Sequence, residues 1–529
     1  MRRQAGTIDG AAAEAGGRRM LAAALVGVAL LVGLLVRLAY IGREPLWLDE
    51  AYTVWFATIP LADLWGRTPA FEPHPPLYYT LLHFWTGLFG TGEAGVRSLS
   101  AVLNTAAIPF VYLAGRRIGG AWTGAAAALV FSLMPFQLEW SQNARAYGLG
   151  ALPVAALCWA LLRIAAEPEQ AARPLWRLSP GSDPGARSLM AAWATVALAT
   201  GFFLWLHNTY PLVVFVVQLL AFAWWLGPGG RRAGFVVNWV AANAAAFLIW
   251  AWWVPHLLGM AAKLSDGFVI PPPTLRNLVS HLSLYFTIND FWKFRSLWAV
   301  PDLLYFGAGA AGALGLLLAR RWTAAGLVIG LCALPLALYV GFSIAFVPAY
   351  QPKLMAWIGV PYALMVACGL ALIPRPWLRA GALAVVAAGL FAGVRVDYEA
   401  PPREGWDGAA AVVAAEWRPG EPVLTVSMSS ALAVGYYLER LGADIPLTGT
   451  PADWPDGWNG YRPVTEADRA ALAARLEGAE RAWLVVRTNS WTADPQRIVE
   501  QELRRFGEPA GSWNTGGVEV YRYARRPPG

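Results

Sequence analysis

Residues 20–52 read MLAAALVGVALLVGLLVRLAYIGREPLWLDEAY. Residues 20–41 are almost wholly apolar and long enough for one bilayer crossing, which takes about 20 such residues. A few residues later stand two adjacent acids, Asp49 and Glu50, beside Leu46, Trp47 and Leu48. The run follows a short basic N-terminus and has no small-residue cleavage site, so it reads as a retained helix rather than a signal peptide. Comparable runs recur at 97–115, 121–138, 147–166, 189–207, 209–227, 234–258, 301–319, 323–346, 354–373 and 378–395. The pattern predicts an all-α polytopic membrane protein with about eleven transmembrane helices.

Composition agrees. Of 529 residues 57% are hydrophobic and only 14% charged, too little polar surface to cover a water-soluble body of this size. The net charge of +7 does not point to nucleic acid, because the arginines sit in short clusters between apolar runs. Numbering the loops alternately puts Arg18-Arg19, Arg116-Arg117, the Arg163 to Arg187 segment, Arg231-Arg232, Arg320-Arg321, Arg375 and Arg379 on one side. The positive-inside rule makes that side cytoplasmic, with the N-terminus inside and the C-terminal segment outside. Cys158, Cys332 and Cys368 all lie within apolar runs and offer neither a disulfide framework nor zinc spacing.

Three segments on the outer side are too long for simple turns: 42–96, 259–300 and everything after 396. The first carries apolar residues at helical spacing (Ala51, Val54, Trp55, Ile59; Leu77, Leu81, Leu82, Trp85, Leu88), predicting two amphipathic helices on the membrane surface. After 396 β-like runs (Val423 to Val426, Trp483 to Val486, Val518 to Tyr523) alternate with helical patterns (Ala409 to Trp417, Ala431 to Leu441, Ala467 to Leu476, Ile498 to Phe506), the grammar of a small α/β domain. The division is a transmembrane module, 1–395, with loop 42–96 carrying the catalytic motif, and an extracytoplasmic α/β domain, 396–529. That domain contains no histidine, so no Ser/His/Asp triad can form in it.

Asp49 and Glu50 are costly to keep beside large apolar residues at a membrane boundary, which points to function, although a helix start also favours carboxylates there. In Phe71-Glu72-Pro73-His74-Pro75-Pro76 the prolines stiffen a helix entry and present His74 ahead of its positive end. An imidazole there suits a phosphate or a substrate hydroxyl; the bland alternative is a turn histidine facing water. Arg145, in the short outer turn Gln142 to Tyr147, runs against the positive-inside trend and calls for an anion, unless it merely snorkels to the interface.

The ordered set Leu48-Asp49-Glu50-Ala51-Tyr52, His74-Pro75-Pro76-Leu77-Tyr78-Tyr79, Glu93 to Arg97 and Arg145-Ala146-Tyr147 resembles bacterial members of glycosyltransferase family 39. These are GT-C-fold enzymes related to the protein O-mannosyltransferases and the lipid A aminoarabinose transferase. The resemblance implies Asp49 as catalytic acid-base residue with Glu50 as neighbour, and substrate contacts from Tyr52, Arg145 and Tyr147. Relatives carry a lysine before the double proline where this chain has His74, and an acid directly before it where this chain has Pro73, with Glu72 one place off register. A late Arg-Tyr pair in many relatives has a looser counterpart in Tyr350-Gln351-Pro352-Lys353-Leu354, with Lys353 as the cation. His207 and Tyr210 are further candidates, alternatively interface-capping side chains.

A polyprenyl-phosphate sugar keeps its lipid in the bilayer and its phosphate at the interface, so its enzyme needs cations at headgroup height and a carboxylate to deprotonate an acceptor hydroxyl. The expected function is inverting transfer of a hexosyl or pentosyl group from such a donor to a hydroxyl of a protein, lipid or glycan, on the extracytoplasmic side of the plasma membrane. No cofactor is expected to be required; the outer loops hold no Asp-x-Asp pair, so cations are favoured over a metal, though Asp49 and Glu50 could ligate a divalent ion. The alternatives are a transporter or flippase of lipid-linked sugars and an O-antigen-type polymerase or ligase. Transporters place ionisable groups at the midplane and show inverted repeats, and here helix centres read as nearly free of charge.

Overall fold

The computed structural model describes residues 20, 23–70, 72, 74–174, 184–227, 232–263, 272–288, 299–346, 348–399, 402–451, 463–488 and 493–526. Among these, eight helices are long and apolar enough to cross a membrane: Glu93–Gly119, Ala146–Ala166, Pro184–Leu204, Ala233–Gly259, Val300–Leu318, Trp322–Ala345, Pro352–Ala371 and Pro376–Glu399. A ninth arises if Ala121–Leu133 and Pro135–Ser141, bent by 57°, count as one span. Ala23–Leu38 and Tyr210–Leu226 are apolar but shorter. Every expected run is thus an apolar helix, while full-length spans number eight or nine rather than eleven. The chain is an integral multi-pass membrane protein.

The chain divides into two compact units. The first comprises Met1–Ala39, Ser98–Val254 and Ile270–Glu399. Its helices pack closely through small residues: a Cβ on Gly369 would fall 1.8 Å from the Ala308 carbonyl oxygen, and one on Gly312 1.9 Å from that of Met365. In lipid, where apolar burial drives little association between helices, such approach supplies the dispersion contacts that hold them together.

One polar network runs through this unit. Pro135 has no N–H, so the helix before it loses the donor for the Phe131 carbonyl. Arg37, fully buried in Ala23–Leu38, donates from Nη2 to Phe131 O (3.4 Å) and from Nη1 to Ser132 O (2.9 Å) and Gly33 O (3.0 Å). Its Nε reaches Asn104 Oδ1 at 2.9 Å, and Asn104 Nδ2 donates to Gly148 O at 2.7 Å. The first helix therefore carries a buried charge that hydropathy alone passes over. These partners are neutral, and through four hydrogen bonds the guanidinium acts as a clasp for the kink. Gln142 Nε2 caps the end of the same helix through Arg37 O (3.0 Å) and Ala39 O (2.8 Å).

The second unit comprises Tyr40–Arg97, Pro255–Val269 and Ala400–Gly529. Its five-stranded sheet contains β1 (Val423–Val426), β2 (Leu447–Thr450), β3 (Arg481–Arg487), β4 (Gly507–Asn514) and β5 (Val518–Arg525) in the order β2-β1-β3-β5-β4. The β2-β1-β3 pairs are parallel and the β3-β5-β4 pairs antiparallel. Helices Trp406–Glu416 and Met428–Arg440 contribute Trp406, Ala410, Val413, Val434 and Leu438 to a core shared with Val423, Trp483, Val485 and Val520. Arg469–Leu476 and Ile498–Phe506 build a second core around Leu424, Leu484 and Leu503. Two strands escaped the sequence reading. Both are edge strands: β2 is only four residues long, and β4, rich in turn formers, carries a register shift between Pro509 and Gly511.

The first loop forms helices Leu48–Thr58 and Leu77–Phe89. The latter exposes Phe84, Leu88 and Phe89, as expected of a surface-lying helix. Leu48–Thr58 is more deeply packed. Its Glu50, Ala51, Thr53, Val54, Phe56 and Ala57 are buried, and Ala51 and Leu48 join the Trp406 core.

Candidate active site

Asp49 is the second residue of helix Leu48–Thr58 and remains half-buried, whereas Glu50 beside it is fully buried. The difference follows from their partners. Arg97 grips Glu50 from Nε to Oε1 (2.8 Å) and from Nη2 to Oε2 (2.6 Å). The remaining guanidinium donors reach backbone oxygens of Ile41 (3.0 Å), Glu44 (2.8 Å) and Pro45 (3.0 Å). A planar five-donor fork is thereby saturated, and the loop of residues 41–50 is tied to one side chain. Glu50 Oε2 also accepts from the Trp47 N–H at 3.4 Å. Of the acidic pair, Glu50 is the one committed to holding the loop. At Glu44 burial raises the carboxyl pKa, outweighing Arg97 and Arg403.

His74 lies beside Glu72, whose carboxylate is buried. Glu72 Oε1 accepts from His74 Nδ1 (2.5 Å), the His74 N–H (3.2 Å) and the Tyr79 hydroxyl (2.8 Å). An ionised carboxylate can only accept, so His74 carries a proton on Nδ1. The acid one place off register in sequence is therefore the one that orients the histidine. Tyr79 stacks on Phe56 (4.8 Å between centroids), which meets Tyr52 edge-on (4.7 Å). This aromatic bridge joins the Asp49 helix to the Glu72–His74 pair within the second unit.

The other expected residues gather within the first unit. Arg145 precedes the 3₁₀ turn Ala146–Gly150 and is 6% exposed; the Ser100 hydroxyl donates to its carbonyl oxygen at 3.3 Å. Lys353 stands in the 3₁₀ segment Pro352–Ile358. Both cations lie over the Tyr147 ring, Arg145 at 5.7 Å and Lys353 at 5.0 Å from its centroid. The ring's negative face partly offsets two like charges that would otherwise repel. Tyr147 also meets Trp140 edge-on (5.4 Å) and lies 5.8 Å from the His207 ring, which is 5.5 Å from Tyr210. His207 Nδ1 accepts from the Thr209 N–H at 3.2 Å, which puts the ring proton on Nε2. The Tyr210 hydroxyl is fully buried and finds no hydrogen-bond partner among the described residues.

Arg97 and Glu72 are the members of the candidate site least legible in the sequence. Each is an ionisable group at a helix entrance whose partner lies in a separate segment or off register, and only the fold reveals the pairing. Among the described residues no group of three or more His, Cys, Asp or Glu side chains is arranged to hold a metal ion.

The family model described as dolichyl-phosphate-mannose-protein mannosyltransferase matches residues 73–227. No curated protein matches the chain by sequence. Among solved structures, ArnT from Cupriavidus metallidurans in the apo state superposes with a TM-score of 0.60 at 16% identity, over 96% of this chain and 98% of that one. The same protein bound to undecaprenyl phosphate gives 0.59 at 15% identity, over 94% and 97%. The archaeal oligosaccharyltransferase AglB from Archaeoglobus fulgidus, in complex with an inhibitory peptide and a dolichol-phosphate, gives 0.54 at 15% identity, over 95% and 74%. The chain thus has the fold of the GT-C glycosyltransferases.

Proposed function

We propose that this protein is an inverting membrane glycosyltransferase that moves a hexosyl or pentosyl group from a polyprenyl-phosphate donor to a hydroxyl acceptor on the extracytoplasmic side. The observation that carries this reading is the pair of cations, Arg145 and Lys353, sharing the Tyr147 ring at the ends of apolar helices. Such a pair suits a phosphate whose lipid stays in the bilayer. The family match over residues 73–227 and the likeness to a structure holding undecaprenyl phosphate and one holding dolichol-phosphate support the same donor class.

In this mechanism Asp49 accepts the acceptor's hydroxyl proton as that oxygen bonds to the anomeric carbon. The anomeric carbon–phosphate oxygen bond breaks on the opposite face, and the electron pair leaves with the polyprenyl phosphate. The transition state resembles an oxocarbenium ion, and negative charge grows on the departing phosphate. Arg145 and Lys353 neutralise that charge, with Tyr147 holding them in place and His74 and Tyr52 contacting the substrate. His207 and Tyr210 border the phosphate side. A divalent ion is not needed, so turnover should survive chelation.

The test is transfer by the purified full chain with a panel of labelled polyprenyl-phosphate sugars and membrane extract, with and without EDTA. Labelled product from at least one donor, lost on replacing Lys353 and Arg145 by Met, is expected. Absence of transfer from every polyprenyl-phosphate donor would exclude the donor class, and loss of turnover with EDTA would overturn the metal-free mechanism.

A further inference from the structure

Helix Leu48–Thr58 begins with only part of a local cap: Glu50 at its third position accepts from the Trp47 N–H. The N-cap Trp47 itself has an indole that cannot accept a hydrogen bond. The other amides around the helix start must still find acceptors when buried. The Leu48 N–H finds the Glu404 carboxylate at 2.7 Å, 356 residues away in sequence, and the Leu46 N–H finds the Tyr437 hydroxyl at 2.6 Å. Each acceptor is itself braced. Glu404, 8% exposed, accepts from Trp406 Nε1 at 2.7 Å and Arg487 Nη1 at 3.2 Å. Tyr437 donates to Glu93 Oε1 at 3.0 Å, and Arg440 holds the other Glu93 oxygen at 2.7 Å. Burial raises the Tyr437 phenol above its usual range, so the group stays neutral and can accept and donate at once. Arg403 lies over the Trp47 ring, 5.3 Å from its centroid, and Leu48 and Ala51 pack into the Trp406 core.

The geometry assigns Glu404 and Tyr437, both in the C-terminal domain, as positioning residues for Asp49. They supply the two backbone acceptors that Arg97 and Glu50 cannot, and so set where the Asp49 carboxylate stands. This rests on the glycosyltransferase reading for its consequence and on the hydrogen bonds for its cause. The C-terminal domain is on this view part of the catalytic apparatus although it donates no group to the substrate. Displacing a catalytic group by about 1 Å costs on the order of a hundredfold in rate. Loss of either tether should therefore reduce turnover while leaving the donor phosphate site unchanged.

The experiment compares the full chain in lipid nanodiscs with Glu404→Ala, Glu404→Gln and Tyr437→Phe. It reads amide hydrogen exchange over residues 44–50, kcat, and KM for the polyprenyl-phosphate donor. Glu404→Ala and Tyr437→Phe should speed exchange in that segment and lower kcat by about tenfold to a hundredfold. Donor KM should move by less than about twofold. Glu404→Gln keeps an oxygen that can accept from Leu48 and should recover most of both. If Glu404→Ala does not fold, Tyr437→Phe and Glu404→Gln still decide. Unchanged exchange would show that the tethers do not hold the segment, and faster exchange with unchanged kcat would show that they do not position Asp49. A rise in donor KM at constant kcat would also overturn the proposal. A wild-type chain without transfer activity would sink the functional reading alone, because exchange still reports on the tethers.

Discussion

Two neighbouring carboxylates have been given opposite fates by their surroundings. Glu50 is fully buried in a bidentate pair with Arg97, and a buried pair broken on one side costs about 3–5 kcal/mol because a charge is left uncompensated. Asp49, half-buried at a helix start, is the carboxylate that the proposed mechanism uses as general base. Asp49→Asn should therefore lower turnover by roughly a hundredfold to ten-thousandfold, the worth of a general base, with donor binding retained. Glu50→Gln should chiefly destabilise, lowering the melting temperature and the residual activity only in proportion to the folded fraction. Turnover, donor affinity and thermal unfolding on both variants give the answer. Near-normal turnover in Asp49→Asn with abolition in Glu50→Gln would reverse the assignment. His74 shows the same economy, since a buried acid two residues earlier, Glu72, fixes its orientation.

At the scale of elements, the kink between Ala121–Leu133 and Pro135–Ser141 shows how a helix break is accommodated where no water is at hand. Unsatisfied carbonyls in lipid are costly, and Arg37 meets those of Phe131 and Ser132 while also reaching Asn104. Arg37→Met should destabilise by about 1–3 kcal/mol for each orphaned acceptor. Arg37→Lys should restore little, because three donors on a point charge cannot span the same fork. Thermal unfolding in detergent reads both effects, and wild-type stability in Arg37→Met would show the clasp to be dispensable. Helix Leu48–Thr58 makes a related point. Its apolar spacing was legible, and the structure adds that Leu48 and Ala51 pack into the Trp406 core. Periodicity reports that a face is apolar and is silent on what covers it.

For the whole molecule, the clustered arginines predict, by the positive-inside rule, one set of loops in the cytoplasm and the C-terminal domain outside. A reporter active only in the cytoplasm should give no signal when fused at the C-terminus and a strong one when fused in the segment between Arg163 and Arg187. The reverse pattern would invert the topology and move the proposed chemistry to the other face. Much of this molecule was determined by sequence alone. A bilayer demands apolar runs of fixed length, so the spans, the large first loop and the α/β character after residue 396 are written in local composition. Asp49 and Arg145 stood out because charge near an apolar boundary is costly, while Lys353 was reached only through the family resemblance. Tertiary structure decided the pairings: Arg97 with Glu50, Glu72 with His74, Lys353 and Arg145 over Tyr147, and Glu404 with the Leu48 amide. It also decided the edge strands β2, only four residues long, and β4, rich in turn formers. The physical reason is common to all of these. Hydrogen bonds and ion pairs join atoms a few ångströms apart in space but up to 356 residues apart in the chain, and no local pattern encodes which distant donor will meet which acceptor.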